Sequence, residues 1–196
     1  RYLLLALSQL VQRYPQLSLL LVSKPQQQGE TEQLIKHLNL TKHIQFVHGV
    51  SAEALVKHYA ESSIAIVPSI YEGFGLPAGE AMACAVPLVA TNGGALPEVV
   101  GDAGVTVAIK DPTAMAVAIE GLLLDADARK RFGKLGRKHI EKNFSWTLAA
   151  KEMTALYYQV IDADKANGKL LSHQATNEQL FQRSDLPAEE VNHANH

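Results

Sequence analysis

The chain has a single cysteine, Cys84, among its 196 residues, so no internal disulfide can form. A chain without that crosslink is expected in a reducing, cytoplasmic compartment, and Cys84 itself reads as a small hydrophobe on a buried helix face. An excess of positive charge is missing as well. Eighteen basic residues face twenty acidic ones, for a net charge of −2, which leaves nothing to attract nucleic acid. The eight histidines show neither H-x3-H nor H-E-x-x-H spacing, so no metal site is expected. No G-x-G-x-x-G follows an apolar run, which removes the dinucleotide-dehydrogenase version of an α/β fold. No run is long enough to span a bilayer. The opening Arg1-Tyr-Leu-Leu-Leu-Ala-Leu has the look of a signal peptide, yet Gln12 and Arg13 follow and no small-x-small cleavage site appears. It reads as an amphipathic helix within a longer chain.

What the sequence does contain is a stretch from Ile64 to Thr91, IAIVPSIYEGFGLPAGEAMACAVPLVAT, that reads as strand, loop, helix, strand. Ile64–Val67 is a short apolar run that Pro68 stops. The loop Ser69–Leu76 carries Glu72, Gly73, Phe74 and Gly75. Pro77 suits the first position of a helix, where its missing N–H has no partner to lose. Ala78–Ala85 continues that helix, with Gly79 allowing close approach to the backbone, and Pro87–Ala90 is the second strand. A βαβ unit of this kind implies parallel strands and a right-handed crossover. Ligands then sit beyond the carboxyl ends of the strands, where this loop lies. Glu72 and Glu80 are the chemical signal. The glycines let the loop double back so that both carboxylates can face one crevice, and an ionised acceptor near a helix start suits paired sugar hydroxyls. The free N–H groups of Gly73–Leu76 suit phosphate oxygens or sugar hydroxyls.

Glu72-Gly-Phe-Gly-Leu-Pro-Ala-Gly-Glu80, followed by Ala-Met-Ala-Cys-Ala-Val-Pro87, resembles the E-x7-E segment of the retaining, GT-B-fold, group 1 glycosyltransferases. Phe46-Val-His-Gly-Val-Ser51, Gly93-Gly-Ala-Leu-Pro-Glu98, Asp111-Pro112 and Phe144-Ser-Trp146 complete the likeness over roughly residues 1–161. The resemblance implies that Glu72 contacts the donor sugar and acts in catalysis, and that Glu80 holds the nucleotide ribose. It further implies that Phe74, Gly75 and Leu76 offer amides to the sugar and diphosphate, and that Gly49 and Val50 line a base pocket. It implies metal-free transfer from a nucleoside diphosphate sugar, with no cofactor. The family's arginine and lysine for the leaving diphosphate belong just after a first strand, upstream of Arg1. The acceptor is expected on an N-terminal domain that residues 1–196 do not contain.

The remaining elements follow by pattern. Tyr2–Tyr14 is a helix and Leu17–Val22 a fully buried strand. Ser23–Thr31 is a glutamine-rich loop in which Lys24 is solvated. Thr31–Leu38 is a short helix, Ile44–Val47 a strand, and Ser51 caps the helix after the Gly49-Val50 turn. His48 reads as structural. Thr91-Asn-Gly-Gly94 is a tight loop, either a plain turn or a backbone approach to phosphate. Ala95–Val100 is a helix, Val105–Ile109 the last strand, and Asp111 caps a helix opened by Pro112. Residues 126–142 form a basic helix. Its few apolar partners favour a solvated charged face over a peripheral contact with an anionic membrane, such as the inner face of a bilayer. Ser145 precedes a final amphipathic helix through Ile161, and residues 162–196 form a polar, disordered tail.

The expected fold is therefore α/β, a doubly wound parallel sheet in one domain over residues 1–161. In the strand order 3-2-1-4-5-6 the first strand would be absent, leaving Leu17–Val22 and Ile64–Val67 with nothing between them. The expected function is sugar transfer, with these residues as its donor-binding part, inactive and poorly folded when expressed alone. The alternatives are a non-catalytic nucleotide-sugar-binding module and another GT-B enzyme, an epimerase or a phosphorylase.

Overall fold

The computed structural model describes residues 1–25 and 29–166. The final helix runs past Ile161 to Ala166, so residues 162–166 of the expected disordered tail are helical, and the rest of that tail lies outside the described residues. Two compact units divide the chain, Arg1–Ser145 and Trp146–His196. Within the second, α8 (Trp146–Ala166) is a single helix with Met153, Leu156, Tyr157 and Val160 exposed.

The first unit alternates helices and parallel strands. In order these are α1 (Tyr2–Leu10), β1 (Leu19–Val22), α2 (Glu30–His37), β2 (Ile44–Val47), α3 (Ala52–Glu61), β3 (Ala65–Val67) and α4 (Leu76–Ala83). They continue with β4 (Leu88–Thr91), α5 (Leu96–Val100), β5 (Val105–Val107), α6 (Pro112–Leu124) and α7 (Ala126–Asn143). The strands pair as two parallel pieces, β1-β2 and β3-β4-β5, in register Leu19↔Ile44, Ala65↔Leu88 and Val89↔Val105. No ladder joins β1 to β3 among the described residues, the arrangement that the order 3-2-1-4-5-6 leaves without its first strand.

Side chains alternate across each strand and fill a core on either face. Val89, Val105, Val107, Ile64, Ile66, Leu19 and Leu21 meet Leu3, Ala6 and Leu10 of α1 and Met115, Ala116 and Ile119 of α6. On the other face Ala65, Val67, Leu88 and Ala90 meet Ala78, Ala81 and Met82 of α4 and Leu96, Val99 and Val100 of α5. Helices on both faces make the fold doubly wound, as expected.

Several boundaries move inward, each for a local reason. The first helix stops at Leu10 and not at Tyr14, because Arg13 and Tyr14 both donate their N–H to the Leu10 carbonyl in a closing turn. The first strand begins at Leu19, since buried His43 takes the Leu17 carbonyl through Nδ1 at 2.9 Å. That strand is half-buried and not fully buried: among the described residues only one of its edges is paired, and only Leu19 and Leu21 join a core cluster. Leu76 takes the first turn position of α4 ahead of Pro77. The same helix stops at Ala83, where Ala85 adopts a left-handed φ of 58°. Val86 N–H then bonds the Ala81 carbonyl and Ala85 N–H the Met82 carbonyl, satisfying two orphan acceptors. The last strand closes at Val107 and not at Ile109, because the Ile109 amide turns to the Asn92 side chain at 2.9 Å. Ser51 and Asp111 cap their helices as the sequence indicates, accepting from Ala54 N–H at 3.2 Å and Ala114 N–H at 2.8 Å. The basic helix α7 turns Ala128, Gly133 and Gly136 inward. A side chain at Gly133 would strike the Ala85 carbonyl, so α7 lies against the end of α4 through bare backbone.

Candidate functional site

The loops leaving β3 and β4 at their carboxyl ends are fastened to each other, and the fastening places Glu72. Thr91, the last residue of β4 and fully buried, donates its hydroxyl to the Ser69 carbonyl. Ser69 in turn donates its own hydroxyl to Glu72 Oε2 at 2.9 Å. The Glu72 carbonyl accepts the Ala95 N–H at 2.9 Å. Gly93 and Gly94 make this contact possible. A Cβ on Gly93 would stand 2.5 Å from the Ile70 carbonyl oxygen, and one on left-handed Gly94 (φ +61°) would strike the Glu72 carbonyl. Between a plain turn and a phosphate loop, this pair therefore has a third role: it lets two backbones touch.

Gly75 then starts α4 from a left-handed conformation, φ +91°, with Leu96 packed where a side chain would stand. Among the described residues, the amides of Gly73, Phe74, Gly75 and Leu76 donate to no protein acceptor. Those of Ala78 and Gly79 turn back to the Gly75 carbonyl. The first four N–H groups of a helix have no intrahelical partner, and together with the dipole they favour an anion. The space above Gly79 is open. Phe74 is half-exposed, with its ring edge-on to Phe144 at 6.0 Å between centroids, so it contributes packing as well as backbone.

Glu80 lies farther along α4 and is held separately. Tyr59 of α3 reaches it with Oη 3.3 Å from Glu80 Oε2 and 3.4 Å from the Pro77 carbonyl. The phenol is pushed up to about 12, by burial first and by the Glu80 charge second, and so keeps its proton at physiological pH. Cys84, one turn beyond, is shifted up by burial and then by the same carboxylate, which leaves an unreactive thiol.

Gly49 forms the turn after β2 with φ +63°, and Val50 is half-buried beside it. No hydrogen bond ties either to Glu72 or Glu80 among the described residues. His48 and Lys24 are exposed. A cavity of about 710 Å³ lies beside α2, lined by Arg1, Glu30, Thr31, Gln33, Leu34 and His37, and none of residues 72–80 borders it. Among the described residues no group of three His, Cys, Asp or Glu side chains converges, and no helix is long and apolar enough to cross a membrane.

Sequence reasoning missed Ser69, Thr91 and Tyr59. Ser69 stands three residues before Glu72 in the same loop, near enough in sequence for its hydroxyl to be weighed as a partner. Thr91 and Tyr59 act across 22 and 21 residues and leave no local signal.

Comparison with known proteins gives this geometry its context. The MMP alpha-(1->4)-mannosyltransferase of Mycolicibacterium hassiacum is 40% identical over 144 residues, 72% of this chain and 35% of that protein. The D-inositol 3-phosphate glycosyltransferase of Corynebacterium jeikeium is 36% identical over 167 residues, 81% of this chain and 40% of the other. Among solved structures, sucrose-phosphate synthase from Thermosynechococcus elongatus superposes with a TM-score of 0.72 at 33% identity, covering 83% of this chain and 43% of that one. The chain thus spans less than half the length of these relatives. Its α/β architecture is that of the GT-B glycosyltransferases, and residues 1–139 match the family model described as glycosyl transferases group 1, so the chain belongs to the group 1 glycosyltransferases.

Proposed function

We propose that residues 1–145 form the donor-binding part of a retaining glycosyltransferase that moves a sugar from a nucleoside diphosphate to an acceptor. The observation that carries this reading is the row of unpaired amides from Gly73 to Leu76 at the start of α4, beside Glu72 and on the helix that bears Glu80. Unpaired amides at a helix start suit the diphosphate and sugar oxygens, and acceptor-only carboxylates suit hydroxyl donors. Glu72 takes the sugar, Glu80 the ribose, and the Gly49-Val50 turn the base. No cofactor or resident metal enters the proposal. The acceptor and the groups that neutralise the leaving diphosphate come from chain outside these residues.

The test uses the full-length protein. Calorimetry with UDP and GDP, followed by product analysis with the corresponding sugars, should give donor binding and a product whose anomeric configuration matches the donor. Glu80→Gln should weaken nucleoside diphosphate binding about ten- to a hundredfold through loss of a charge-assisted hydrogen bond. Glu72→Gln should lower turnover strongly and leave binding of free nucleoside diphosphate nearly intact. Equal losses for both variants on both ligands would show that the two carboxylates share one role and overturn the assignment. An inverted product would overturn the retaining course.

A further inference from the structure

We propose that Tyr59 is a positioning residue for ribose recognition, its hydroxyl orienting the Glu80 carboxylate from the neighbouring helix α3. The inference rests on the reading of Glu80 as the ribose ligand. Its ground is a geometry that the two glutamates do not share. Glu72 is held from within its own loop by Ser69, whereas Glu80 is exposed on α4 and its hydrogen-bond partner lies on α3, 21 residues earlier. Tyr59 is itself fixed, because its ring packs against the core formed by α4, α5 and β3-β4. Its hydroxyl stands within reach of two acceptors on one helix, Glu80 Oε2 at 3.3 Å and the Pro77 carbonyl at 3.4 Å. A single O–H can serve only one of them at a time. With the proton on the Glu80 side, Oε2 is held and Oε1 is left to accept from a ligand hydroxyl. With the proton on the Pro77 side, the carboxylate rotates freely. The shift of the phenol toward about 12 means that the donor stays protonated wherever the enzyme works.

Orientation of this kind favours ligands that bring two adjacent hydroxyls and gives nothing to a ligand lacking them. The readout is therefore a ratio: affinity of the full-length protein for a ribonucleoside diphosphate over its 2′,3′-dideoxy analogue, measured by calorimetry. Active fraction and general loss of stability cancel in that ratio. Wild type should discriminate strongly, Glu80→Gln should abolish the discrimination, and Tyr59→Phe should shrink it about three- to tenfold, the worth of one modest hydrogen bond. Tyr59→Phe should also raise KM for the donor with kcat little changed, and in a Glu80→Gln background it should have no further effect. If Glu80→Gln abolishes discrimination and Tyr59→Phe leaves it at the wild-type value, the role of Tyr59 is overturned and the ribose reading stands. If Glu80→Gln leaves discrimination intact, the ribose reading fails and the positioning role falls with it.

Discussion

Two strands of nearly the same composition have different fates in this molecule. β4 is Leu-Val-Ala-Thr, and every residue is buried, with Leu88 and Thr91 each 1% exposed. β1 is Leu-Leu-Leu-Val, more apolar if anything, yet its leucines are half-buried and Val22 is 51% exposed. Helices pack on both faces of β4, whereas among the described residues β1 enters the core clusters only through Leu19 and Leu21, on one face. A lateral difference adds to this. β4 has β3 on one side and β5 on the other, whereas among the described residues β1 has β2 alone. Burial of a strand is thus set as much by its ladder neighbours as by its side chains. The site is built on the well-buried piece, where loops after β3 and β4 can be fixed against each other.

The largest consequence concerns the bare edges of β1 and β3. Orphaned backbone groups cost about 1–3 kcal/mol each when buried, and several of them rival the roughly 5–15 kcal/mol stability of a whole domain. Residues 1–196 expressed alone are expected to aggregate and to lack transferase activity. Chain that supplies a parallel strand between β1 and β3 should restore solubility and donor binding together. A soluble 1–196 polypeptide that melts cooperatively and binds nucleoside diphosphate would break the comparison outright.

A smaller effect sharpens it. Leu88→Ala in β4 should destabilise the full-length protein by about 2–5 kcal/mol, the usual cost of emptying a closed core site. Leu21→Ala in β1 should cost about as much in the full-length protein, where a strand between β1 and β3 closes the site around it. Urea unfolding of both variants measures the pair. A cost about half as large would mean that the edge of β1 stays bare in the full-length protein.

The helix caps give the smallest contrast. Asp111 accepts at 2.8 Å in a partly buried setting beside the three-stranded piece, and Ser51 at 3.2 Å in an exposed one. Asp111→Ala should cost about 1–2 kcal/mol and Ser51→Ala about 0.5 kcal/mol. Thermal melts would detect the ordering, and its reversal would show that hydrogen-bond length and exposure do not rank these caps.

The sequence carries the order of elements because local chemistry announces it. Apolar runs, Pro77, Pro112, Ser51 and Asp111 mark strands and helix starts without reference to anything distant. It carries the position of Glu72 and Glu80 for the same reason. What it could not carry is whatever depends on a partner far along the chain. The start of β1 depends on His43, and the close approach of α7 to the end of α4 on Gly133 meeting Ala85. The Gly93-Gly94 pair shows the limit most clearly. Two glycines in a turn look alike whether they admit a phosphate or another backbone, and only the Glu72 carbonyl lying against Gly94 tells the cases apart.

The interlock of Thr91, Ser69, Glu72 and Ala95 has a consequence in calorimetric terms. A loop already held by three hydrogen bonds at Ser69 and Glu72 has less backbone to order when a ligand arrives. Association then loses little chain entropy and buries little apolar surface beyond the ligand's own. The heat-capacity change on binding a nucleoside diphosphate should accordingly be small and steady with temperature, as for a ligand entering a finished receptacle.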